Sequence, residues 1–295
     1  MDSSLQQPDA DFGPLLNLAI WTLAGSSTVF LGLRLLAKHR GRRTLWYDDY
    51  LLIAAWVSVV ISCILQTVDT SFGFGKEHRD IDAGILSTTR LISTVAGFFL
   101  ILAAAWSKTS FALTLLRISD GWPRRLVLFV IWTTNIAIAV SGVIQWAQCW
   151  PLARLWEGEG VEGRCLPLDL INGYNMFVSG YSGLMDISLA LLPWVIVRPF
   201  DNLSPSGSTR RKEKFGIVVA MGMAVFAGFT SLLKIYALYQ MIQPHASAER
   251  VVAVMILGTA EGAVTIMAVS IPALSTFLRK EGEPNVLDLS LKSIV

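Results

Sequence analysis

Four charged residues stand inside long apolar stretches of this sequence, where ionised side chains are costly and usually mark a site. They are Lys108, Asp186, Lys234 and Glu261. A desolvated carboxylic acid in such a place could protonate an epoxide, an alkene or a carbonyl group, with aromatic walls stabilising the developing cation. We take Asp186 as the first candidate for a catalytic acid and Glu261 as the second.

Polar residues accompany these charges at helical spacing. Asn175, Ser179 and Ser182 precede Asp186 on one face of a predicted helix. Further stripes of this kind consist of Ser141, Gln145 and Gln148; of Ser58, Ser62, Gln66 and Asp69; and of Gly258, Glu261, Gly262 and Thr265. Because the stripes fall in the outer halves of neighbouring predicted helices, we expect a cavity that opens to the lumen or exterior, with Lys108 and Lys234 among its residues.

A structural interpretation of the same residues remains open. Ser, Thr and Gln commonly hold membrane helices together. Asp186 with Lys234, or Glu261 with Lys108, could form buried ion pairs that have no chemical role.

Asp48 and Asp49 form an acidic pair at the start of another predicted helix. We interpret them as a helix cap or as partners of Arg34, Arg42 or Arg43, because acidic residues in a first helical turn commonly have these roles.

The elements that must position these residues are membrane helices. Seven predominantly apolar stretches are long enough, at roughly 20 residues or more, to cross a hydrocarbon core of about 30 Å. In lipid each backbone amide must be satisfied within its own segment, which favours helices. The predicted spans are 14–36, 48–69, 91–117, 126–150, 174–197, 214–241 and 251–278. We therefore predict an all-α polytopic protein with a polar tail at 1–13, a membrane domain at 14–278 and a second tail at 279–295.

The composition is that of a membrane protein. Of the 295 residues 53% are hydrophobic and 16% are charged, whereas a soluble domain has about 25% charged residues. The net charge of +2 comes from basic residues near the ends of the spans. We therefore expect membrane lipid, and no nucleic acid, as a partner.

The distribution of lysine and arginine predicts the orientation. With the N-terminus outside, 15 of the 24 basic residues fall in cytosolic segments and 6 in outer segments, as the positive-inside rule requires. The N-terminus is then outside or luminal and the C-terminus cytosolic, in the endoplasmic reticulum or the plasma membrane. The sequon at Asn202 lies on the cytosolic side and is predicted to carry no glycan.

The cysteines and histidines do not show the spacing that is typical of metal sites. Cys149 at the end of the fourth span and Cys165 in the next loop both fall on the oxidising face. A disulfide between them is one interpretation, and two free thiols are the other. Cys63 is predicted to pack inside the second span. His78 and His245 have no metal-ligand spacing around them, so neither a metal nor another cofactor is expected.

Several short motifs occur in the order and spacing of one known family. They are Arg34 with Trp46-Tyr47-Asp48-Asp49-Tyr50-Leu51, Phe72-Gly73-Phe74-Gly75-Lys76-Glu77-His78, Lys108-Thr109-Ser110, Leu116-Arg117, Gln148-Cys149-Trp150-Pro151 with Trp156 and Gly163-Arg164-Cys165, Asp186 with Leu192-Pro193, Arg210-Arg211-Lys212, Glu261, and Pro272-Ala273-Leu274. Over nearly its whole length the chain resembles the fungal rhodopsin-like integral membrane domain, as in satratoxin-cluster integral membrane proteins. The resemblance implies seven helices, a fungal source, association with secondary-metabolite and mycotoxin gene clusters, and receptor-like relatives.

The family name does not imply retinal in this chain. A retinal protein needs a Schiff-base lysine in its seventh helix, and residues 251–278 contain none, so no retinal is expected. The marks of G-protein-coupled receptors are also missing. The third helix ends in Leu116-Arg117-Ile118-Ser119 without an acid-Arg-Tyr triplet, and the seventh has Ile271-Pro272-Ala273 where Asn-Pro-x-x-Tyr would stand.

These observations predict a membrane protein that handles a hydrophobic small molecule in a fungal secondary-metabolite pathway. One version is an acid-catalysed cyclase or isomerase acting on a terpenoid or polyketide. The alternative is an orphan receptor-like seven-helix protein without catalytic activity, although the short cytosolic segment 118–125 offers little surface for a signalling partner. A transporter is least favoured, because the chain has no evident inverted repeat or broken helix pair.

Overall fold

The chain forms a bundle of long helices. The computed structural model describes residues 11–41, 44–75, 83–117, 119–201, parts of 222–241, and 248–282. The helices are α1 (Gly13–Arg40), α2 (Tyr47–Ser71), α3 (Ala83–Leu116), α4 (Trp122–Ala147), the short α5 (Arg154–Glu157), α6 (Leu168–Asp201), α7 (228–241) and α8 (Ala248–Gly282). Between α4 and α6, strands β1 (Cys149–Trp150) and β2 (Arg164–Cys165) pair antiparallel.

Five of these helices are long and apolar enough to cross a membrane, counting only residues that the structure describes. They are α1, α2, α3, α4 and α8. Helix α6, which carries the polar stripe ending at Asp186, and the described part of α7 are not among the five. An all-α membrane protein with several spans follows from these helices.

The helices extend beyond the predicted spans at several ends. Helix α3 begins at Ala83 rather than at 91, α6 begins at Leu168 rather than at 174, and α8 continues to Gly282. Helix α4, in contrast, ends at Ala147, so Cys149 lies beyond the helix in β1. Hydropathy identifies only the part of a helix that is apolar enough for the hydrocarbon core. The backbone hydrogen bonds of the helix can continue beyond it into the polar boundary of the membrane.

A glycine turn at the end of α2 lies against the start of α1. We call the end of the bundle at which α1 begins its outer end, and the opposite end its inner end. Gly73 and Gly75 have φ angles of 98° and 95°, in the left-handed region that glycine adopts without a steric penalty. Phe12 N–H donates to the Gly75 carbonyl at 3.2 Å. A Cβ atom at Gly75 would lie 2.9 Å from the nitrogen of Gly13, so the close approach also requires glycine.

Helix α3 lies at the centre of the bundle. It contacts α2, α4, α6 and α8, while α1 packs against α2 and α8. Helices α6 and α7 approach closely where a Cβ at Gly183 would lie 3.0 Å from the Gly228 carbonyl oxygen, as small residues permit in membrane proteins. This arrangement places side chains from α3, α6, α7 and α8 around one interior space.

Candidate functional site

Lys108 of α3 is the centre of a buried charge cluster. Its Nζ lies 2.6 Å from Asp186 Oδ2 of α6 and 2.7 Å from Glu261 Oε1 of α8. It also donates a hydrogen bond to Ser182 Oγ. An ammonium group has three hydrogens, so these three acceptors satisfy it. The side chain is only 5% exposed.

Lys234 of α7 completes the cluster from the other side of Glu261. Its Nζ lies 3.4 Å from Glu261 Oε2, and its side chain is 25% exposed. Within the described part of the chain this is its one ion pair, so the ammonium has hydrogens left for a ligand. The two lysines and two acids sum to zero charge when all are ionised, which makes the burial of four charges electrostatically tolerable.

The ion pairs differ from what the predicted spans alone indicate. In those spans Lys108 lies toward the inner end of 91–117, whereas Lys234 and Glu261 lie toward the outer ends of 214–241 and 251–278. The structure brings all three charged groups together through direct ion pairs. Of the two suggested pairs, Glu261 with Lys108 is formed. Asp186 pairs with Lys108 instead of Lys234, because the central helix α3 presents its lysine to both acids.

A cavity of about 270 Å³ lies on the outer side of this cluster. Glu261, Lys234 and Ser182 form its floor, and Gln145, Gln148 and Asn175 line it nearer to the outer ends of α4 and α6. Its walls are aliphatic and include Leu100, Ile101, Ile138, Val178, Leu238 and Met255.

Most of the predicted cavity residues line this space, but the first candidate acid does not. Asn175, Ser179, Ser182, Gln145 and Lys234 are all at the wall. Lys108 and Asp186 instead lie behind Ser182, next to a much smaller void that also touches Thr134 and Asn135. Glu261, the second candidate, is therefore the carboxylate that faces the cavity.

The predicted stripe on α2 has a different role. Ser62 Oγ donates to the Ala96 carbonyl of α3 at 3.0 Å, and Gln66 Nε2 donates to Ser62 Oγ at 2.9 Å. Ser93 Oγ of α3 donates to Asp69 Oδ2. Ser62 and Asp69 therefore join α2 to α3, Gln66 bonds within α2, and none of the three lines the cavity.

Of the two glycines beside Glu261 in α8, one lines the cavity and the other packs against a neighbouring helix. Gly258 lines the cavity, whereas a Cβ at Gly262 would lie 3.3 Å from Val59 Cγ2 of α2. The pair therefore brings α8 close to its neighbours at the level of Glu261, and this close packing positions the carboxylate against Lys108.

The inner ends of the helices hold a second buried charge cluster around Arg34. The Arg34 side chain is 2% exposed. Its Nη2 lies 2.8 Å from Asp48 Oδ2, and its Nε donates to Asp49 Oδ1 at 3.0 Å. Arg34 Nη1 donates to the Val269 carbonyl of α8.

Two further cations join this inner cluster. Lys38 Nζ lies 2.6 Å from Asp49 Oδ1, and Arg117 Nη2 lies 3.1 Å from Asp48 Oδ1. The Arg117 guanidinium also stacks over the Trp46 ring at 4.3 Å. Sequence reasoning missed both, although Lys38 stands four residues after Arg34 and hence on the same helix face.

The acidic pair both caps α2 and binds cations, the two roles considered from the sequence. Asp49 Oδ2 accepts the Trp46 backbone N–H at 3.1 Å, as in a capping box. Arg42 and Arg43, the other suggested partners, lie outside the described residues.

A disulfide closes the loop at the opposite, outer end. Cys149 and Cys165 are bonded, and they face each other across the β1–β2 pair. Cys63 is a buried free thiol in α2, where it packs against α1. The hairpin therefore fixes the outer end of α4 to the start of α6, above the cavity.

The described residues offer no group of three His, Cys, Asp or Glu that could hold a metal ion. His78 and His245 fall outside the described parts. The only lysine of α8, Lys280, lies two residues from the end of that helix, far along the helix from Glu261.

The comparisons with known proteins agree with the motif pattern. The family model described as the fungal rhodopsin domain matches residues 33–280. No curated protein and no solved structure gives a significant match to the chain. The matched range contains both charge clusters, the disulfide and every residue that lines the cavity.

Proposed function

Because the chain belongs to the fungal rhodopsin domain family, we propose that this multi-pass membrane protein binds a neutral, hydrophobic small molecule of a secondary-metabolite pathway in the outer cavity. The observation that carries the proposal is the pairing of aliphatic walls with a polar floor at Lys234 and Glu261. Apolar pockets with a few placed polar groups are the usual form of small-molecule sites.

The floor favours a ligand with a carbonyl or hydroxyl oxygen. Lys234 has ammonium hydrogens available for such an acceptor, whereas Lys108 is already surrounded by Ser182, Asp186 and Glu261. The four charges of the cluster are balanced, so an ionised ligand would add an uncompensated charge in a low-dielectric interior. A neutral oxygen function avoids this cost.

Acid catalysis is the weaker version of the proposal. A cyclase that forms carbon cations would use aromatic walls, but the lining of this cavity is aliphatic. Glu261 faces the cavity yet accepts from two ammonium groups, an arrangement that holds a carboxylate more readily than a proton donor. Asp186 has no direct access to the cavity.

A receptor-like response is favoured by the position of Lys234. The ammonium group binds Glu261, and Glu261 binds Lys108, so a ligand oxygen at Lys234 would alter an ion-pair chain that joins α7, α8, α3 and α6. Ligand binding could then shift these four helices relative to one another.

We expect Lys234→Met to weaken capture of the natural ligand. The tagged protein is purified from the source organism, and the bound small molecules are identified by mass spectrometry. Loss of a charge-assisted hydrogen bond should reduce the co-purified amount by about tenfold. Leu233→Met, which places the same side chain one position away on an exposed face, should leave the amount unchanged.

Untargeted metabolite profiling of a deletion strain separates the versions of the proposal. An accumulating precursor that wild type removes and Glu261→Gln does not would favour catalysis. Unchanged metabolite levels with a co-purifying ligand would favour a receptor. If no compound co-purifies and no metabolite changes, the proposed function is wrong.

We also propose seven spans with the N-terminus outside, in the endoplasmic reticulum or plasma membrane. Support comes from the disulfide beside the outer end of α4, since disulfides form on the oxidising side. A glycosylation acceptor added before α1 should receive a glycan, and one added after residue 295 should not. A glycan at Asn202, which lies outside the described residues, would contradict this topology.

A further inference from the structure

A second apolar recess lies between α3 and α4, on the outside of the bundle. It encloses about 840 Å³. Phe98 and Leu102 of α3 line one side, and Gly142, Val143 and Trp146 of α4 line the other. Val143 is exposed on the surface of the bundle, so the recess is open to the hydrocarbon region of the membrane. We call it the α3–α4 groove.

The groove and the cavity share two wall residues. Ile101 of α3 and Ile138 of α4 line both spaces. They are therefore the partition between the lipid side and the charged floor. An isoleucine side chain in a helix is restricted at χ1, but its χ2 can change without breaking a hydrogen bond, so moving these two costs packing contacts and a small rotamer energy.

The two ends of the groove are closed by polar or covalent structure. Cys149, Trp150 and Leu152 of the disulfide loop cover its outer end. Toward its inner end Asn135 Nδ2 donates to Thr109 Oγ1 at 2.9 Å and to the Ile131 carbonyl at 2.8 Å, while the Thr109 hydroxyl donates to the Ala105 carbonyl at 2.7 Å. These hydrogen bonds occupy the polar groups at this end, and the middle of the groove is apolar.

We propose that the α3–α4 groove is the route by which the hydrophobic ligand passes from the membrane into the cavity, with Ile101 and Ile138 as its gate. This inference rests on the proposed binding function. A hydrophobic molecule concentrates in the bilayer, and entry through the groove keeps its apolar surface out of water. Its polar oxygen would meet Ser182 and Lys234 only after passing the gate.

Gly142 offers a position at which the route can be blocked. A Cβ built there would lie 3.6 Å from Phe98 Cε2 and 4.0 Å from Ile101 Cγ2, which is ordinary van der Waals contact. A leucine at this position would therefore occupy the groove without a backbone clash. Val140 of α4 is exposed but does not line the groove, so Val140→Leu is the matched control.

The test compares the rates at which a thiol inside the cavity reacts with one probe that dissolves in the membrane and one that stays in water. Ser179→Cys places the thiol on the cavity wall in a Cys63→Ala background, which removes the one free thiol and keeps the disulfide. The protein is held in lipid nanodiscs. N-ethylmaleimide is the membrane-soluble probe, and a trimethylammonium-ethyl methanethiosulfonate is the charged, water-borne probe.

We expect Gly142→Leu to slow maleimide labelling by roughly tenfold and Ile138→Ala to accelerate it, while Val140→Leu changes nothing. The charged probe should react at one rate in all four backgrounds. If the thiol is reactive but neither Gly142→Leu nor Ile138→Ala changes the rate of maleimide labelling, the lateral route is wrong, while the proposal of a ligand cavity is retained. If neither probe reaches the thiol in any background, the cavity itself, and with it the proposed function, is overturned.

Discussion

Replacing Lys108 with methionine is expected to destabilise the folded protein by about 3–5 kcal/mol, the usual cost of removing one partner from a buried ion pair. Asp186 and Glu261 would lose the ammonium that lies 2.6 and 2.7 Å from them. Glu261 would keep Lys234 at 3.4 Å, but the described residues provide Asp186 with no second cation. The loss should appear as a lower melting temperature in size-exclusion profiles of the heated, detergent-solubilised protein.

A double variant gives this prediction its control. Lys108→Met with Asp186→Asn removes one positive and one negative charge and leaves Lys234 paired with Glu261. Stability should then recover in part, because the remaining interior charges balance. If the double variant is as unstable as Lys108→Met, packing around the lysine stem, and not charge, decides the effect.

The residue types of the outer cluster could be predicted from the sequence, but their pairing could not. Charges within apolar stretches identify Lys108, Asp186, Lys234 and Glu261, and helical spacing identifies the stripe on α6. Which acid binds which lysine depends on the rotation and vertical offset of each helix. These follow from side-chain packing between helices, which no single stretch of sequence contains.

Similar polar patterns lie in two different environments. The stripe on α2 and the stripe on α6 both follow helical spacing, yet Ser62 packs against α3 while Ser179 faces the cavity. The difference arises because α2 and α3 lie in long, close contact. Periodicity in the sequence predicts which residues lie on the same face of a helix. It does not predict whether that face packs against another helix or lines a cavity.

The two charge clusters share the same two helices. The outer cluster binds Lys108 of α3 to Glu261 of α8, and the inner cluster binds Arg117 of α3 and the Val269 carbonyl of α8 through Asp48 and Arg34. A ligand that alters the outer ion pairs therefore acts on helices whose inner ends are held by the second cluster. If the protein is receptor-like, as one form of the proposed function has it, this shared attachment would connect the ligand site to the inner end of the bundle.

The inner cluster yields the second large effect: Arg34→Met should destabilise the protein by about 1.5–3 kcal/mol, the usual contribution of hydrogen bonds to charged groups. Asp49 would keep Lys38 and Asp48 would keep Arg117, but the buried guanidinium that joins the two acids would be lost. Its hydrogen bond to the Val269 carbonyl would be lost as well. The same heated size-exclusion assay measures the loss.

Arg117→Met is the matched comparison, because Arg117 binds Asp48 from a side chain that is 49% exposed. A solvent-exposed ion pair contributes about 0–1 kcal/mol, so this variant should melt close to wild type. Equal losses for Arg34→Met and Arg117→Met would show that burial does not set the strength of the cluster. A large loss at Arg34 alone would identify Arg34 with Asp48 and Asp49 as a structural connection among α1, α2 and α8, independent of whatever the outer cavity binds.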